Sequence, residues 1–281
     1  MYQKKSTFFV FLSAVLYSLG GLFYKIIPWD ALAINCGRVT LAGIVLLLYM
    51  KFSGRKFTVN KTVVLAAISM VITNNLYSLS YKLTTAGNAI ILQFTMPVFV
   101  VLIMLVLYHR KPGKDELITC ALVFGGIVLF FVDSLSAGNM LGNLLAVISG
   151  VSYAFFFVFN GREDANPLSA IILSHCCSAL IGLPALLKTD VKGSSAGVIA
   201  ALLALAFLQQ AAAGICFSEG ISGTPAVAAS LISGVEPILN PILVAVFWHE
   251  MLTPLSFAGA AIVLISIMVY NYRRAKTPAN G

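Results

Sequence analysis

The sequence predicts an all-α membrane protein with ten transmembrane helices, arranged as two inverted five-helix repeats with both termini in the cytoplasm. Of its 281 residues, 59% are hydrophobic and only 10% are charged, whereas soluble domains carry about 25% charged residues. Ten apolar stretches of roughly 16 to 25 residues match the ~20 residues that a helix needs to cross hydrocarbon. The last five stretches repeat the pattern of the first five. A water-soluble single domain is excluded, and the connecting loops are too short to form an extramembrane domain.

Apolar runs of this length can cross a bilayer only as helices, because backbone polar groups must be satisfied there without water. Turn-forming residues mark their ends, for example Pro28, Gly54, Gly113 and the Asn166-Pro167 pair. The predicted spans are residues 7–27, 31–50, 63–81, 86–108, 117–132, 142–159, 167–187, 196–217, 224–248 and 254–270.

The first span is predicted to remain in the mature protein. Lys4 and Lys5 precede an apolar run of about 20 residues, which is longer than a signal-peptide core and has no small-residue cleavage site. All five cysteines fall inside apolar segments, so no loop offers a pair that an oxidising compartment could link. We therefore expect free, structural thiols at Cys36, Cys120, Cys176, Cys177 and Cys216.

The distribution of positive charge predicts the orientation in the membrane. With a cytoplasmic N-terminus, thirteen of the 18 Lys and Arg residues lie in inside segments, four lie in outside segments, and Arg38 lies within the membrane. The positive-inside rule then places both termini in the cytoplasm. The net charge of +8 is explained by this distribution, so the predicted partner is the lipid bilayer of the cell membrane rather than nucleic acid.

The chain contains an internal repeat with an offset of 136 to 140 residues. The clearest match aligns the segments that begin at Ala86 and Ala226, with Pro97 opposite Pro237 and a histidine at the end of each segment. Residues 1–135 and 136–281 form the two predicted units. Five spans is an odd number, so the second unit must enter the membrane in the opposite sense. Inverted repeats place a binding site near the midplane and open it to alternate sides by rocking, which favours a transporter.

The sequence resembles the drug/metabolite transporter superfamily, of the EamA type, over essentially its whole length. The resemblance is carried by SAVLYSLGGLF in the first span, AINCGRVTLAGIVLLL with Arg38 in the second, and the block from Ala226 to Leu264. That block holds a Glu-Pro pair inside the ninth span and a Glu250-Met-Leu-Thr-Pro turn. The resemblance implies ten helices and transport. Members of this superfamily move amino acids, nucleobases, sugars, quaternary amines or drugs, so it does not imply one cargo.

Two intramembrane charges are the main candidates for a substrate site, since an ionisable side chain at a helix centre costs at least about 2.5 to 3.5 kcal/mol. Glu236 precedes Pro237 and shares a predicted polar stripe with Ser233 and Asn240. It either faces a cavity, where it binds a cation or exchanges a proton, or joins helices by hydrogen bonds. Arg38 either pairs with Glu236 or a substrate carboxylate, or anchors to backbone carbonyls.

Further candidates are polar or aromatic residues inside the spans. Tyr17 and Tyr153 occupy matching repeat positions and either contact a ligand or pack the core. Gln93 needs a polar partner, which another helix or a substrate could supply. His175 is either an interhelical residue or a proton relay. Glu219 is either a gate or proton-entry residue, or an ordinary interfacial one.

These features favour a secondary active transporter for a small polar, zwitterionic or cationic metabolite such as an amino acid or amine, with a proton as a possible coupling ion. No P-loop motif is present, so this chain does not supply ATP-driven transport. The alternative is a passive facilitator or channel. An enzyme is disfavoured, because the sequence offers no converging set of nucleophile, base or metal ligands. We predict no cofactor and no metal, and the sequence does not define an oligomeric state.

Overall fold

The computed structural model describes residues 2–24, 26–84, 86–132, 139–248 and 253–276, and within these ranges the chain forms helices and turns without a strand. The predicted all-helical class is therefore confirmed. Nine helical stretches in these ranges are long and apolar enough to cross a membrane. The predicted span 117–132 lies in a helix of 18 residues whose first turn carries Lys114, Asp115 and Glu116. Those charges shorten its apolar part, which explains why it is not among the nine.

The described chain contains fourteen α-helices and one π-helical segment. In chain order they are α1 (Tyr2–Ser18), α2 (Gly20–Tyr24), α3 (Ala31–Phe52), α4 (Lys61–Leu83), α5 (Ala86–Gln93), α6 (Met96–Tyr108), α7 (Lys114–Phe131), α8 (Met140–Asn160), α9 (Pro167–Leu187), α10 (Ala196–Ala204), the π-helical segment (Leu205–Ala212), α11 (Ala213–Ile221), α12 (Ala226–Ser233), α13 (Glu236–Trp248) and α14 (Pro254–Lys276).

Polar side chains at the loop ends start several of these helices. The Asp30 carboxylate accepts a hydrogen bond from Leu32 N at 2.8 Å, which caps α3. Asn60 Oδ1 accepts from Val63 N at 2.8 Å and caps α4, and Asn166 Oδ1 likewise caps α9. Each cap satisfies a backbone donor that the first helical turn leaves unpaired. The turn signals in the sequence thus coincide with chemically defined helix starts.

Three predicted spans are interrupted rather than continuous. The span 7–27 is interrupted at Leu19, the span 86–108 at Phe94 and Thr95, and the span 224–248 at Gly234 and Val235. In the last two cases a proline is the second residue of the next helix, where its missing N–H costs nothing and its fixed φ favours a new helix start. The span 196–217 is also irregular, because it contains the π-helical segment. These stretches remain long and apolar enough to span a membrane, although the helices within them are not regular.

The helices pack in pairs that join residues before and after position 136. The helix α3 packs along α9, α4 along α8, α7 along α14, and α1 along α11. In the repeat alignment α3 corresponds to α9 and α7 corresponds to α14. The pair α4 with α8 corresponds to the pair α11 with α1. Each main contact therefore either joins matching helices or has a counterpart elsewhere in the bundle.

Glycines allow the closest of these approaches. A Cβ atom on Gly259 would lie 2.5 Å from the Gly126 carbonyl oxygen and 2.5 Å from Phe130 N, at the α7–α14 contact. A Cβ atom on Gly126 would lie 2.8 Å from Val263 Cγ2 in the same contact. Such distances require glycine, because real Cβ atoms do not approach other atoms so closely. Small residues hold helices together in a membrane, where hydrophobic burial gives no advantage over lipid.

We predict that Gly126→Ala destabilises the protein by about 1 to 3 kcal/mol, since the added methyl group overpacks the α7–α14 contact. The matched control is Gly125→Ala, because a Cβ atom there meets nothing within 4 Å. That control gains helix propensity of up to about 1 kcal/mol. Thermal unfolding in detergent should show a lower Tm for Gly126→Ala only. Equal Tm values for the two variants would contradict the assigned contact.

Candidate functional site

The buried charge of Arg38 is held by neutral amide groups. Arg38 lies in α3 and is only 8% exposed. Its Nε and Nη2 groups donate to Asn35 Oδ1 at 3.2 and 2.9 Å. Its Nη1 group donates to Gln209 Oε1 of the π-helical segment at 2.9 Å. The guanidinium carbon lies 5.1 Å from the centre of the Tyr24 ring, which adds a cation–π contact.

Arg38 does not form the direct ion pair with Glu236 that the sequence suggested. Neither residue appears in an ion pair in the described part of the chain, although their charges interact through space. The two amides already take three of the five N–H donors of Arg38 and fix the guanidinium on the side of α3 and the π-helical segment. The suggestion of a backbone anchor is also wrong for these three donors, because their acceptors are side-chain oxygens.

Glu236 is the first residue of α13, immediately after the interruption at Gly234 and Val235. Its Oε2 atom is buried and has no hydrogen-bond partner among the described residues. The Glu236 carboxyl group interacts electrostatically with Arg38, Tyr17 and Tyr153. Glu236 of α13 therefore interacts through space with predicted site residues of α1, α3 and α8.

The predicted polar stripe on the ninth span is not continuous, because the helix is interrupted after Ser233. The Ser233 hydroxyl group donates to Ala229 O at 3.1 Å, and the Ser230 hydroxyl group donates to Val227 O at 2.8 Å. Both hydroxyl protons are thus bound by the backbone of α12. Asn240 lies beyond the interruption, where its Oδ1 atom fills the position that a Cβ atom on Gly21 would take.

Tyr17 and Tyr153 have different surroundings despite their matching repeat positions. Tyr153 belongs to an aromatic cluster, with ring centres 6.1 Å from Phe156 and 5.1 Å from Phe157, and the cluster continues to Phe217. Core packing is therefore part of its role. Tyr17 lies at the end of α1 and interacts with Glu236, Arg38 and Cys216. Tyr24, whose ring contacts Arg38, lies beyond the interruption at Leu19 in the separate helix α2.

The remaining intramembrane candidates lie at helix contacts. Gln93 is the last residue of α5 and is buried, and its carbonyl oxygen would be 2.6 Å from a Cβ atom on Gly150. His175 is buried in α9 and its Cβ atom faces Gly43 of α3. The His175 Nδ1 atom is 3.5 Å from Ser174 Oγ, and Nε2 has no partner within the described ranges. His175 also interacts electrostatically with Arg38.

One end of the bundle, which we call the basic end, is formed by residues 53–60, 108–116 and 161–166 together with the ends of α11 and α14. Glu219 lies here and accepts hydrogen bonds from Tyr49 Oη at 2.9 Å and Arg55 Nη2 at 2.5 Å. Asp164 accepts from Thr62 Oγ1 at 2.5 Å and Arg162 Nε at 2.9 Å. These two hydrogen bonds, first that of Thr62, lower the pKa of Asp164.

The opposite end is less charged. Trp29 Nε1 donates to Ser194 Oγ at 3.1 Å, beside an open cleft of about 510 Å³ that also includes Pro28, Asp30 and Asp190. Thr84 Oγ1 donates to Asn143 Oδ1 at 2.7 Å and joins α4 to the start of α8. His249 and Glu250, which the sequence alignment singled out, lie outside the described residues.

The cysteines are free, as predicted, although their environments differ. Cys36 and Cys120 are buried, Cys216 is partly exposed, and Cys176 and Cys177 are exposed on the surface of α9. Among the residues that the structure describes, no group of three or more His, Cys, Asp or Glu side chains could hold a metal ion.

Sequence reasoning missed Asn35 as a partner of Arg38. The signal that could have found it is the spacing of three residues, which places an amide on the same helix face as the guanidinium. The second partner of Arg38, Gln209, was also missed. Its role depends on the approach of the π-helical segment to α3, which sequence spacing does not define.

Several apolar helices of spanning length, with ionisable groups held inside the bundle, define a multi-pass membrane protein. The model of the EamA-like transporter family matches residues 4–132 and again residues 140–272, so the chain belongs to this family.

Two curated relatives that carry the name of transporter are similar to this chain over nearly their whole length. The uncharacterized transporter YwfM of Bacillus subtilis (strain 168) is 25% identical over 281 residues, which cover 96% of this chain and 95% of the relative. An uncharacterized transporter of Archaeoglobus fulgidus is 23% identical over 263 residues, which cover 92% and 94%. A solved crystal structure superposes with a TM-score of 0.84 at 15% identity and covers 98% of this chain and 100% of the other. At that identity the likeness concerns the fold alone.

We predict that Gln209→Met destabilises the protein by about 1.5 to 3 kcal/mol, the usual value of a hydrogen bond to a charged group. The substitution removes the acceptor of Arg38 Nη1. The matched control is Gln210→Met. Gln210 is also buried, but its Oε1 atom has no described partner and its Nε2 group donates only to Gln209. The Tm in detergent should fall by several degrees for Gln209→Met and change little for the control. The reverse order would remove Gln209 as the support of Arg38.

Proposed function

We propose that this protein is a secondary active transporter that works by alternating access between two inverted five-helix repeats. It moves a small polar, zwitterionic or cationic metabolite, such as an amino acid or an amine, across the cytoplasmic membrane. One observation carries the proposal: the buried Arg38 side chain and the partly buried Glu236 side chain, whose Oε2 atom is buried, are of opposite charge type and interact through space without pairing directly. Two such groups separated in one seam can each bind one end of a small zwitterion.

The inverted arrangement is supported by the family match and by the packing. The family model matches the chain twice, over residues 4–132 and 140–272. The contact of α1 with α11 is the repeat counterpart of the contact of α8 with α4. The interruptions at 94–95 and 234–235 also correspond, at an offset of 140 residues. Discontinuous helices near the midplane are where transporters of inverted architecture bind substrate.

In this proposal Arg38 and Glu236 bind different ends of the substrate. Arg38 has two N–H donors left after its contacts to Asn35 and Gln209, and a planar guanidinium binds a carboxylate through such a pair. Glu236 Oε2 is buried without a described partner, so it can accept the N–H groups of an ammonium ion. The rings of Tyr17 and Tyr153, which interact with Glu236, add an aromatic surface suited to a cation.

Glu236 also offers a simple means of proton coupling. A buried carboxylate without a countercharge is costly, so it favours binding either a cationic substrate group or a proton. If the cationic group of the substrate and a proton compete for this one carboxyl group, release of the substrate is coupled to uptake of the proton. Glu219 and His175 remain secondary candidates for the proton path, Glu219 because of its place at the basic end and His175 because of its buried Nε2 atom.

The proposed binding chemistry predicts that an amino acid stabilises the purified protein more than either of its singly charged analogues. We would test leucine against 3-methylbutylamine, which lacks the carboxylate, and 4-methylpentanoate, which lacks the amine, and then extend the panel to other amino acids and amines. A ligand at 100 times its Kd stabilises the folded state by about 2.7 kcal/mol, which a thermal-shift assay detects.

Glu236→Gln should reduce the stabilisation by amino acid and amine at least tenfold in apparent affinity while leaving the carboxylate analogue unaffected. Val263→Ala in the distant α7–α14 contact serves as a control for general destabilisation. A ligand whose stabilisation is unchanged by Glu236→Gln and by Arg38→Lys would remove both residues from the site.

In sealed vesicles, saturable flux with exchange supports the transporter, and flux that neither saturates nor exchanges identifies a facilitator or channel.

The orientation is the second testable part of the proposal. Positive side chains at the basic end, including Arg55, Arg110 and Arg162, should face the cytoplasm. A green fluorescent protein fused after residue 281 should therefore fluoresce, and alkaline phosphatase fused there should be inactive. Alkaline phosphatase inserted in the loop at residue 192 should be active. The opposite pattern at both sites would reverse the orientation.

A further inference from the structure

Glu219 lies at the basic end and connects two helix pairs, each of which contains a close glycine contact. On one side, Gly220 brings α11 against α1, since a Cβ atom there would lie 2.6 Å from Val10 N and 2.7 Å from Ser6 O. On the other side, Gly182 brings α9 against α3, at 2.5 Å from the Leu32 carbonyl oxygen. Backbone contacts of this kind hold the two helices of each pair closely together.

The side chains of Glu219, Arg55 and Tyr49 bridge these two pairs. Glu219 belongs to α11, Tyr49 to α3, and Arg55 to the loop that follows α3. The Glu219 Oε1 atom accepts both the Tyr49 hydroxyl group at 2.9 Å and the Arg55 Nη2 group at 2.5 Å. The Arg55 side chain is 42% exposed and that of Glu219 is 25% exposed. Water therefore screens this ion pair, which makes it weak enough to break and re-form repeatedly.

Among the residues that the structure describes, the positions that correspond to this bridge in the other repeat cannot form the same contacts. In the repeat alignment Leu79 occupies the position of Glu219, Leu186 that of Tyr49, and Lys192 that of Arg55. Leu79 is 44% exposed and can accept no hydrogen bond through its side chain. The carboxylate and the phenol are thus present in one copy only, although the helices around them pack in corresponding ways.

We propose that Arg55, Tyr49 and Glu219 form a latch that keeps the basic end closed and must open for the central site to reach the cytoplasm. The role of the latch in transport rests on the function proposed above, but its opening can be measured without any substrate. Because the latch exists at one end only, its loss should shift the conformational equilibrium toward the cytoplasm-open state.

Cys216 provides a native reporter of that opening. It lies in α11 one helical turn deeper than Glu219, and it interacts electrostatically with Glu219, Tyr49 and Tyr17. It therefore lies between the latch and the central candidate site. Its thiol is free and partly exposed. A thiol reagent that reaches Cys216 from the basic end must pass the latch.

The experiment measures the rate at which a membrane-impermeant, sulfonated maleimide modifies Cys216 in inside-out vesicles. The modified peptide is quantified by mass spectrometry, and Cys216→Ala defines the background. Tyr49→Phe, Arg55→Glu and Glu219→Arg should each raise the rate by about two- to fivefold, the change expected from loss of a partly exposed ion pair or hydrogen bond. The double variant Arg55→Glu with Glu219→Arg should restore the original rate, since it rebuilds the pair with reversed charges.

Arg110→Gln is the matched control. Arg110 is 41% exposed and pairs with Glu116 at 2.5 Å, at the same end of the bundle but without bridging α3 and α11. The Arg110→Gln variant should leave the rate of Cys216 modification unchanged. If Arg55→Glu and Glu219→Arg change the rate of Cys216 modification in opposite directions, the cause is simple attraction or repulsion of the anionic reagent, and the latch is overturned. The latch is also overturned if the double variant is modified as fast as the single variants.

These results separate the latch from the function on which it rests. If the rate of Cys216 modification is unchanged in all latch variants while vesicles show saturable flux, the latch proposal is overturned and the proposal of a transporter stands. Faster labelling of the single variants and its restoration in the double variant support the latch even where no tested solute is transported.

Discussion

The hydrocarbon interior of the membrane controls the rest of this structure, because it supplies no hydrogen bonds to an exposed polar group. Helices satisfy their own backbones, so the chain crosses in helices. Any buried side-chain donor must then find its acceptor within the protein, and Arg38 finds Asn35 and Gln209. Hydrophobic burial does not draw helices together in lipid, so close packing at glycines such as Gly220 and Gly259 supplies the attraction. The fold and the candidate site follow from the same restriction.

This restriction also explains where irregular backbone occurs. A break in a spanning helix frees carbonyl and amide groups, and these are tolerated only inside the bundle. The interruption at Gly234 and Val235 lies among buried residues, and it places Glu236 at the start of a new helix. The π-helical segment places Gln209 opposite Arg38. Departures from regular helix thus coincide with the residues that carry charge and polarity, as expected where a protein balances stability against binding.

The sequence predicts the helical class and most helix boundaries well because hydropathy, proline and capping residues act locally. Asn60 and Asn166 cap helices that begin within a few residues of the predicted starts. Side-chain partners are a different matter, since they depend on how helices distant in sequence approach one another. Opposite charge alone suggested that Arg38 pairs with Glu236, whereas the amides of Asn35 and Gln209 are nearer. The expected polar stripe on the ninth span failed for a local reason, because helical periodicity does not continue through the interruption after Ser233.

The two stretches that match the family model, residues 4–132 and 140–272, differ in the chemistry of their polar side chains. Apolar and small residues recur at corresponding positions and preserve the helix pairs. The acidic groups and the arginine do not recur: Glu236 corresponds to Met96, Glu219 to Leu79, and Arg38 to a histidine, His175. A fully symmetric pair of repeats would have equal energy when open to either side. In the alternating-access cycle proposed above, the charged groups that occur in single copies would give each open state its own set of broken and intact polar contacts. These few residues would then set the balance between the two states, while the repeated residues would make both states possible.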